Sequence, residues 1–183
     1  MNYNTTLAEA ILHIEKAIPD QICDSAIEIV NANPWQLGSW YNYSSNDYKE
    51  NTHSTSQKVG HYKLFCDIIA QWQEKYNNEI HGQTFCTRRT RPTVNKYEVG
   101  EYMDRHHDHI HSLFDGQQKG IPIMTTLGVL NDDFEGGNFV MWDDYDIPLK
   151  KGDILAFPSV YLFPHRVEKV TSGTRYSWIS WWF

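Results

Sequence analysis

Cysteine is scarce in this chain. Cys23, Cys66 and Cys86 are odd in number, widely spaced and form no CxxC pair. That excludes a disulfide framework and a cysteine zinc site, and it predicts a reducing, cytoplasmic setting. Positive charge is scarce too. The formal net charge is −7, and the nearest thing to a basic cluster, Arg88, Arg89 and Arg91, reads as a solvated strand edge. No nucleic-acid partner is expected on that balance. No apolar run approaches a membrane span, and the opening "MNYNTTLAEAILHIEKAIP" lacks the basic start and apolar stretch of a signal peptide. Internal repeats and low-complexity tracts are missing as well. What is present is 183 residues, 40% apolar and 14% aromatic, an ordinary globular composition with enough chain to bury a core.

The first half reads as mixed structure. "AILHIEKAI" alternates weakly, as a first strand would. "PDQICDSAIEIVNAN" repeats Ile22, Ala26, Ile27 and Val30 at helical spacing behind Pro19, and "HYKLFCDIIAQWQEKYNNEI" carries a stripe of Leu64, Ile68, Ile69 and Trp72. Between these helices, residues 41–58 are rich in Ser, Asn and Thr and read as a loop, a candidate lid. From about residue 84 the pattern becomes short strands broken by turns at Gly100, Gly136, Gly137 and Ser172-Gly173. About eight strands in a hundred residues predict a β-sandwich or barrel with two helices bracing one face. The whole chain reads as one domain, residues 1–83 bracing a barrel of residues 84–183. Trp142, Trp178, Trp181 and Trp182 are expected to pack in the core and its rim.

Histidine is the residue in excess. "YEVGEYMDRHHDHIH" holds four of the nine histidines. Strand parity puts His106 and Asp108 on one face with Tyr102 and Asp104, and sends His107, His109 and His111 to the other. One His-x-Asp therefore remains, and the other three histidines are expected to be dispensable. His165, at the start of a late strand, is the obvious second histidine for a facial triad of two histidines and a carboxylate, the arrangement that holds Fe(II) with positions left open. Arg175 follows ten residues later. A hairpin around Ser172-Gly173 would set it opposite about Glu168, roughly 10 Å along the strand from His165, an offset that suits a five-carbon diacid bridging metal and guanidinium. Ser177 shares its face and can add a hydroxyl to the salt bridge. Asp104 and Arg105 would lie close enough to the metal to meet a substrate.

Those residues carry a resemblance. His106-x-Asp108, His165 and Arg175 resemble the Fe(II)- and 2-oxoglutarate-dependent oxygenases, in particular the prolyl 4-hydroxylase-like branch. "YEVGEYMDRHHD", "LGVLNDDFEGGNFVMW", "IPLKKGDILAFPS" and "HRVEKVTSGTRYSWISWWF" are similar to that branch's motifs in consistent order over residues 95–183. The resemblance implies a double-stranded β-helix and metal ligation by His106, Asp108 and His165. It also implies a 2-oxoglutarate site formed by Arg175, Tyr97, Thr125 and Ser177. It implies a hydroxylase that uses Fe(II), 2-oxoglutarate and O2, with L-ascorbate as a reductant, and releases succinate and CO2. The substrate would be a prolyl or other amino-acid residue, a free amino acid or a small metabolite. Collagen-type and algal prolyl hydroxylases usually carry lysine where Arg175 stands, so the resemblance names a reaction class more firmly than it names proline. Two other classes compete: a cupin-like metalloenzyme without 2-oxoglutarate, against which Arg175 and Ser177 count, and a non-catalytic barrel module, against which the full ligand set counts.

Overall fold

The computed structural model describes residues 7–42, 47–58, 63–81, 86, 88–108, 114–115 and 119–183. In chain order they form β1 (Leu12–Ile14), α1 (Asp20–Asn31), β2 (Gln36–Asn42), β3 (Asp47–Lys58), α2 (Lys63–His81), β4 (Thr93–Tyr97), β5 (Met103–His106), β6 (Phe114–Asp115), β7 (Lys119–Gly120), β8 (Met124–Val129), β9 (Glu135–Gly136), β10 (Phe139–Met141), β11 (Tyr145–Ile147), β12 (Ile154–Pro158), β13 (His165–Val167), β14 (Val170–Ser172) and β15 (Arg175–Trp182). A seven-stranded sheet runs β1-β12-β8-β15-β4-β3-β2, and a four-stranded sheet runs β11-β10-β13-β5. From β4 onward the chain passes repeatedly between the two: β4, β8, β12 and β15 join the large sheet, and β5, β10–β11 and β13 the small one. Every ladder between these described strands is antiparallel. This alternation is the double-stranded β-helix that the resemblance implies.

The period of two sorts side chains between two cores. Leu127, Leu155, Phe157 and Tyr97 from the large sheet meet Phe139, Met141 and Val167 from the small one inside the barrel. Their outward neighbours Ile154, Val94 and Trp178 pack instead against Cys23, Ala26 and Val30 of α1 and Phe65 and Ile69 of α2. Burying either set strengthens the same sheet, because apolar area leaves water on both faces. Trp142, Trp178 and Trp182 are buried and Trp181 half-buried, as expected of core and rim residues.

Several readings from sequence are corrected here. Residues 41–42 and 47–58 are strand, not loop; residues 43–46 lie outside the described residues. β3 pairs with β2 on one side, and its Thr55–Lys58 segment pairs with β4 on the other. A polar composition suits the margin of a sheet, where neighbouring backbones rather than apolar side chains hold the strand. The stripe on α2 is also rotated: Leu64 is 53% exposed, while Phe65, Ile69, Gln73 and Tyr76 are buried. Finally, the strands flanking Ser172-Gly173 do not form a hairpin. β13 pairs with β10 and β5, β14 with β9, and β15 with β4 and β8. Arg175 faces Tyr97 across the ladder, not Glu168. The turn that looked like a hairpin carries the chain from one sheet to the other.

Candidate active site

β5 and β13 place His106 and His165 directly opposite each other across an antiparallel pair. Their rings lie 4.4 Å apart, centroid to centroid. Asp108 follows two residues after β5 ends, at a bend, so this bend rather than strand parity brings its carboxylate in. Asp104, which shares the parity of His106, is exposed. The ligating atoms of His106, Asp108 and His165 all lie within 4.8 Å of one another. Nε2 of His106 is 3.7 Å from Asp108 Oδ1, and Nε2 of His165 is 3.9 Å from Oδ2.

Both imidazoles are held in one tautomer. His106 Nδ1–H donates to the Asp104 carbonyl at 2.7 Å, and His165 Nδ1–H donates to the Phe163 carbonyl at 3.1 Å. A carbonyl can only accept, so each neutral ring keeps a bare lone pair on Nε2, facing the carboxylate. Burial pushes the His165 imidazole down to about 4, and His106 beside it acts in the same direction. That keeps the lone pair free of a proton. Phe139 stacks on His165 at 5.1 Å and Phe157 meets it edge-on at 5.2 Å, fixing the ring from both sides.

The carboxylate is pinned as well. Thr125 Oγ1 donates to Asp108 Oδ2 at 2.6 Å and lies 2.8 Å from Ser159 Oγ. The single Thr125 hydroxyl hydrogen goes to the carboxylate, so Ser159 donates to Thr125. Thr125, expected beside the cosubstrate, is therefore engaged with the acid of the triad. Ser159 and Phe139 went unnoticed in the sequence, although the period of two from Phe157 puts Ser159 on the barrel face. This donor set of two nitrogen lone pairs and one oriented carboxylate fits a divalent first-row ion such as Fe(II).

Arg175 is 2% exposed, and its Nε and Nη1 have no hydrogen-bond partner among the described residues. Its guanidinium carbon lies 5.5 Å from the Tyr97 ring centroid and 5.8 Å from that of Phe134. Burial pulls the guanidinium below its ordinary value, and Tyr97 acts against that. Ser177 is buried two residues along the same strand. Gly137, at φ +62°, gives the arginine its room: a Cβ there would stand 2.8 Å from Arg175 Cδ. Of the surplus histidines, His107 is not among the clustered ligands, and His109 and His111 lie outside the described residues.

Comparison with known proteins agrees with this geometry. A PKHD-type hydroxylase of Idiomarina loihiensis is 43% identical over 94 residues, 50% of this chain and 41% of that relative. One from Hyphomonas neptunium is 37% identical over 97 residues, 49% of this chain and 42% of its own length. The match thus spans about two fifths of these relatives. Among solved structures, the viral collagen prolyl hydroxylase of Paramecium Bursaria Chlorella virus-1 superposes with a TM-score of 0.73 at 18% identity, covering 94% of each chain. A prolyl hydroxylase from Trichoplax adhaerens, in complex with a hypoxia inducible factor peptide fragment, also gives 0.73, at 17% identity over 98% of this chain and 86% of that one. Residues 92–183 match the model of the 2OG-Fe(II) oxygenase superfamily, and the chain belongs to that family.

Proposed function

We propose that this chain is a single-domain hydroxylase that consumes 2-oxoglutarate and O2 to place a hydroxyl on an unactivated carbon of a prolyl or other amino-acid residue, with succinate and CO2 as coproducts. The observation that carries this reading is the pair of opposite ends in one barrel: an oriented His-His-Asp set, and a buried arginine with unpaired donors. His106, Asp108 and His165 would hold Fe(II), which supplies the oxidation chemistry when bound and which the protein positions. Arg175 would pair with the distal carboxylate of 2-oxoglutarate, with Ser177 adding a hydroxyl and Tyr97 shaping the pocket wall. Thr125 would act on this site through Asp108.

The apolar lining formed by Phe139, Phe157 and Leu127 excludes water from the reacting centre, which strengthens every charge interaction inside. A peptidyl substrate is favoured by the likeness to a collagen prolyl hydroxylase and to a prolyl hydroxylase in complex with a peptide fragment. A cupin-like metalloenzyme has no use for Arg175, and a binding module has no use for locked imidazoles. A reducing, cytoplasmic setting fits the free cysteines: burial pushes Cys23 up to about 12 and Cys86 to about 11, so both stay protonated and inert.

The test is succinate formation by the Fe(II)-loaded protein from 2-oxoglutarate, with and without ascorbate. It is followed by a mass screen of peptides, amino acids and metabolites for the gain of one oxygen. Absence of succinate with every substrate, in protein that demonstrably binds iron, would refute the reading.

A further inference from the structure

β10 and β11 are joined by residues 142–144, since Met141 pairs with Tyr145. Trp142 opens that turn at φ +57°. This left-handed region suits glycine or asparagine, and a bulky side chain there persists only where its surroundings hold it. The turn by itself gives no reason for a tryptophan. Its donors do: the indole Nε1–H donates to the Leu162 carbonyl at 2.8 Å, and the main-chain N–H donates to the Pro164 carbonyl at 2.7 Å. The indole also packs on Phe163, ring centroids 6.0 Å apart, and both residues are buried.

Leu162 and Pro164 flank Phe163, whose carbonyl accepts from His165 Nδ1–H. Trp142 thus fixes the carbonyls on either side of the one that sets the His165 tautomer. The two histidines of the triad differ in their need for such a clamp. His106 donates to Asp104, which lies within β5, so strand pairing already holds its acceptor. The acceptor of His165 sits two residues before β13 begins, in irregular chain. The run that leads into it carries Tyr161 at 67% and Leu162 at 44% exposure, so packing steadies it little. Pro164 has no N–H with which to anchor it. The indole supplies the anchor.

We infer that Trp142 is a positioning residue for the triad: by holding the carbonyls of Leu162 and Pro164 it keeps the Phe163 carbonyl on His165 Nδ1–H, and so keeps the Nε2 lone pair turned toward Asp108. The inference rests on the reading of His165 as a metal ligand given above. The strained backbone of Trp142 belongs to the same device, because it brings the indole and main-chain donors onto one segment.

The experiment reads the tautomer of each triad imidazole by long-range proton–nitrogen NMR in metal-free protein at about pH 8, where an ordinary imidazole is neutral. His106→Gln and His165→Gln assign the two signals. Trp142→Phe keeps a ring against Phe163 and the main-chain N–H but loses the indole donor. It should move His165 toward the Nε2–H tautomer by about three- to tenfold, the scale of one neutral hydrogen bond, and leave His106 in its Nδ1–H form. Co(II) affinity, by titration calorimetry, should fall by a similar factor. Trp142→Asn, a residue at home in the left-handed turn, should give the same shift at His165 and serves if the Phe variant does not fold, with circular dichroism as the check. A folded variant that keeps the wild-type His165 tautomer overturns the inference. So does an equal change at both histidines, which would make Trp142 a support of the whole barrel and not of His165. Wild-type protein that binds no Co(II) rejects the ligand reading itself; the tautomer measurement, made without metal, tells that failure from Trp142's own.

Discussion

The two ends of the barrel differ in how their polar groups are satisfied. At the triad end every candidate ligand is oriented by the protein: His106 and His165 through backbone carbonyls, Asp108 through Thr125 and then Ser159. At the Arg175 end a guanidinium of the same depth has two N–H groups with no acceptor among the described residues. Geometry is built in advance at the first end, since a metal tolerates little misplacement of its ligands. At the second end the protein leaves a deficit that only an anion removes, so binding energy there comes from relieving a cost already present in the folded chain.

The contrast breaks hardest at the triad. His165→Ala should weaken Mn(II) or Fe(II) binding by more than the roughly 10–100-fold that losing an outer partner costs, because a ligand itself is gone. Isothermal titration with metal reads this, with circular dichroism as the check that the barrel persists. At the other end, Arg175→Ala should cost about 3–5 kcal/mol, roughly a hundred- to a few-thousandfold in 2-oxoglutarate affinity, and leave metal binding alone. Arg175→Lys should keep part of the affinity, having charge without the fork.

A sharper version turns on the sign. Arg175→Met should raise the stability of the ligand-free protein by about 1–4 kcal/mol in urea unfolding while abolishing cosubstrate binding, because the unpaired buried charge is removed. No substitution of His165 should behave this way. A less stable Arg175→Met protein would show that the guanidinium has partners after all.

Smaller effects test who serves which end. Thr125→Val should weaken metal binding by about 10–100-fold and Thr125→Ser restore it, with 2-oxoglutarate affinity in the metal-loaded protein little changed. If the cosubstrate suffers instead, Thr125 belongs to the Arg175 end. Ser159→Ala, one bond further out, should move metal affinity by less than about tenfold, the scale of a neutral hydrogen bond. His107→Gln is the smallest: metal stoichiometry by mass spectrometry should not change.

Much of this was legible from residue order. The helices around Ile22–Val30 and Ile68–Trp72 show in apolar spacing, and the strands after residue 84 in alternation and glycine punctuation. His106, Asp108, His165 and Arg175 could be singled out by residue type and separation. What failed was reasoning about partners. The segment 47–58 read as loop because strand at a sheet margin lacks the apolar signal on which such readings depend. The hairpin at Ser172-Gly173 failed because a tight turn looks the same whether its arms pair with each other or diverge into two sheets.

Sequence by itself therefore determined the inventory: which groups can ligate a metal, which can pair with a carboxylate, and which face of each strand is apolar. Those are properties of side chains and of the period of two, and both are local. Tertiary structure decided the assignments. It matched His106 with His165 across β5 and β13, gave Thr125 to Asp108, buried Arg175 opposite Tyr97 with no acceptor for its Nε and Nη1 among the described residues, and opened a cavity beside it. Each of these depends on which distant strands share a ladder, and one strand's own residues do not encode its partner.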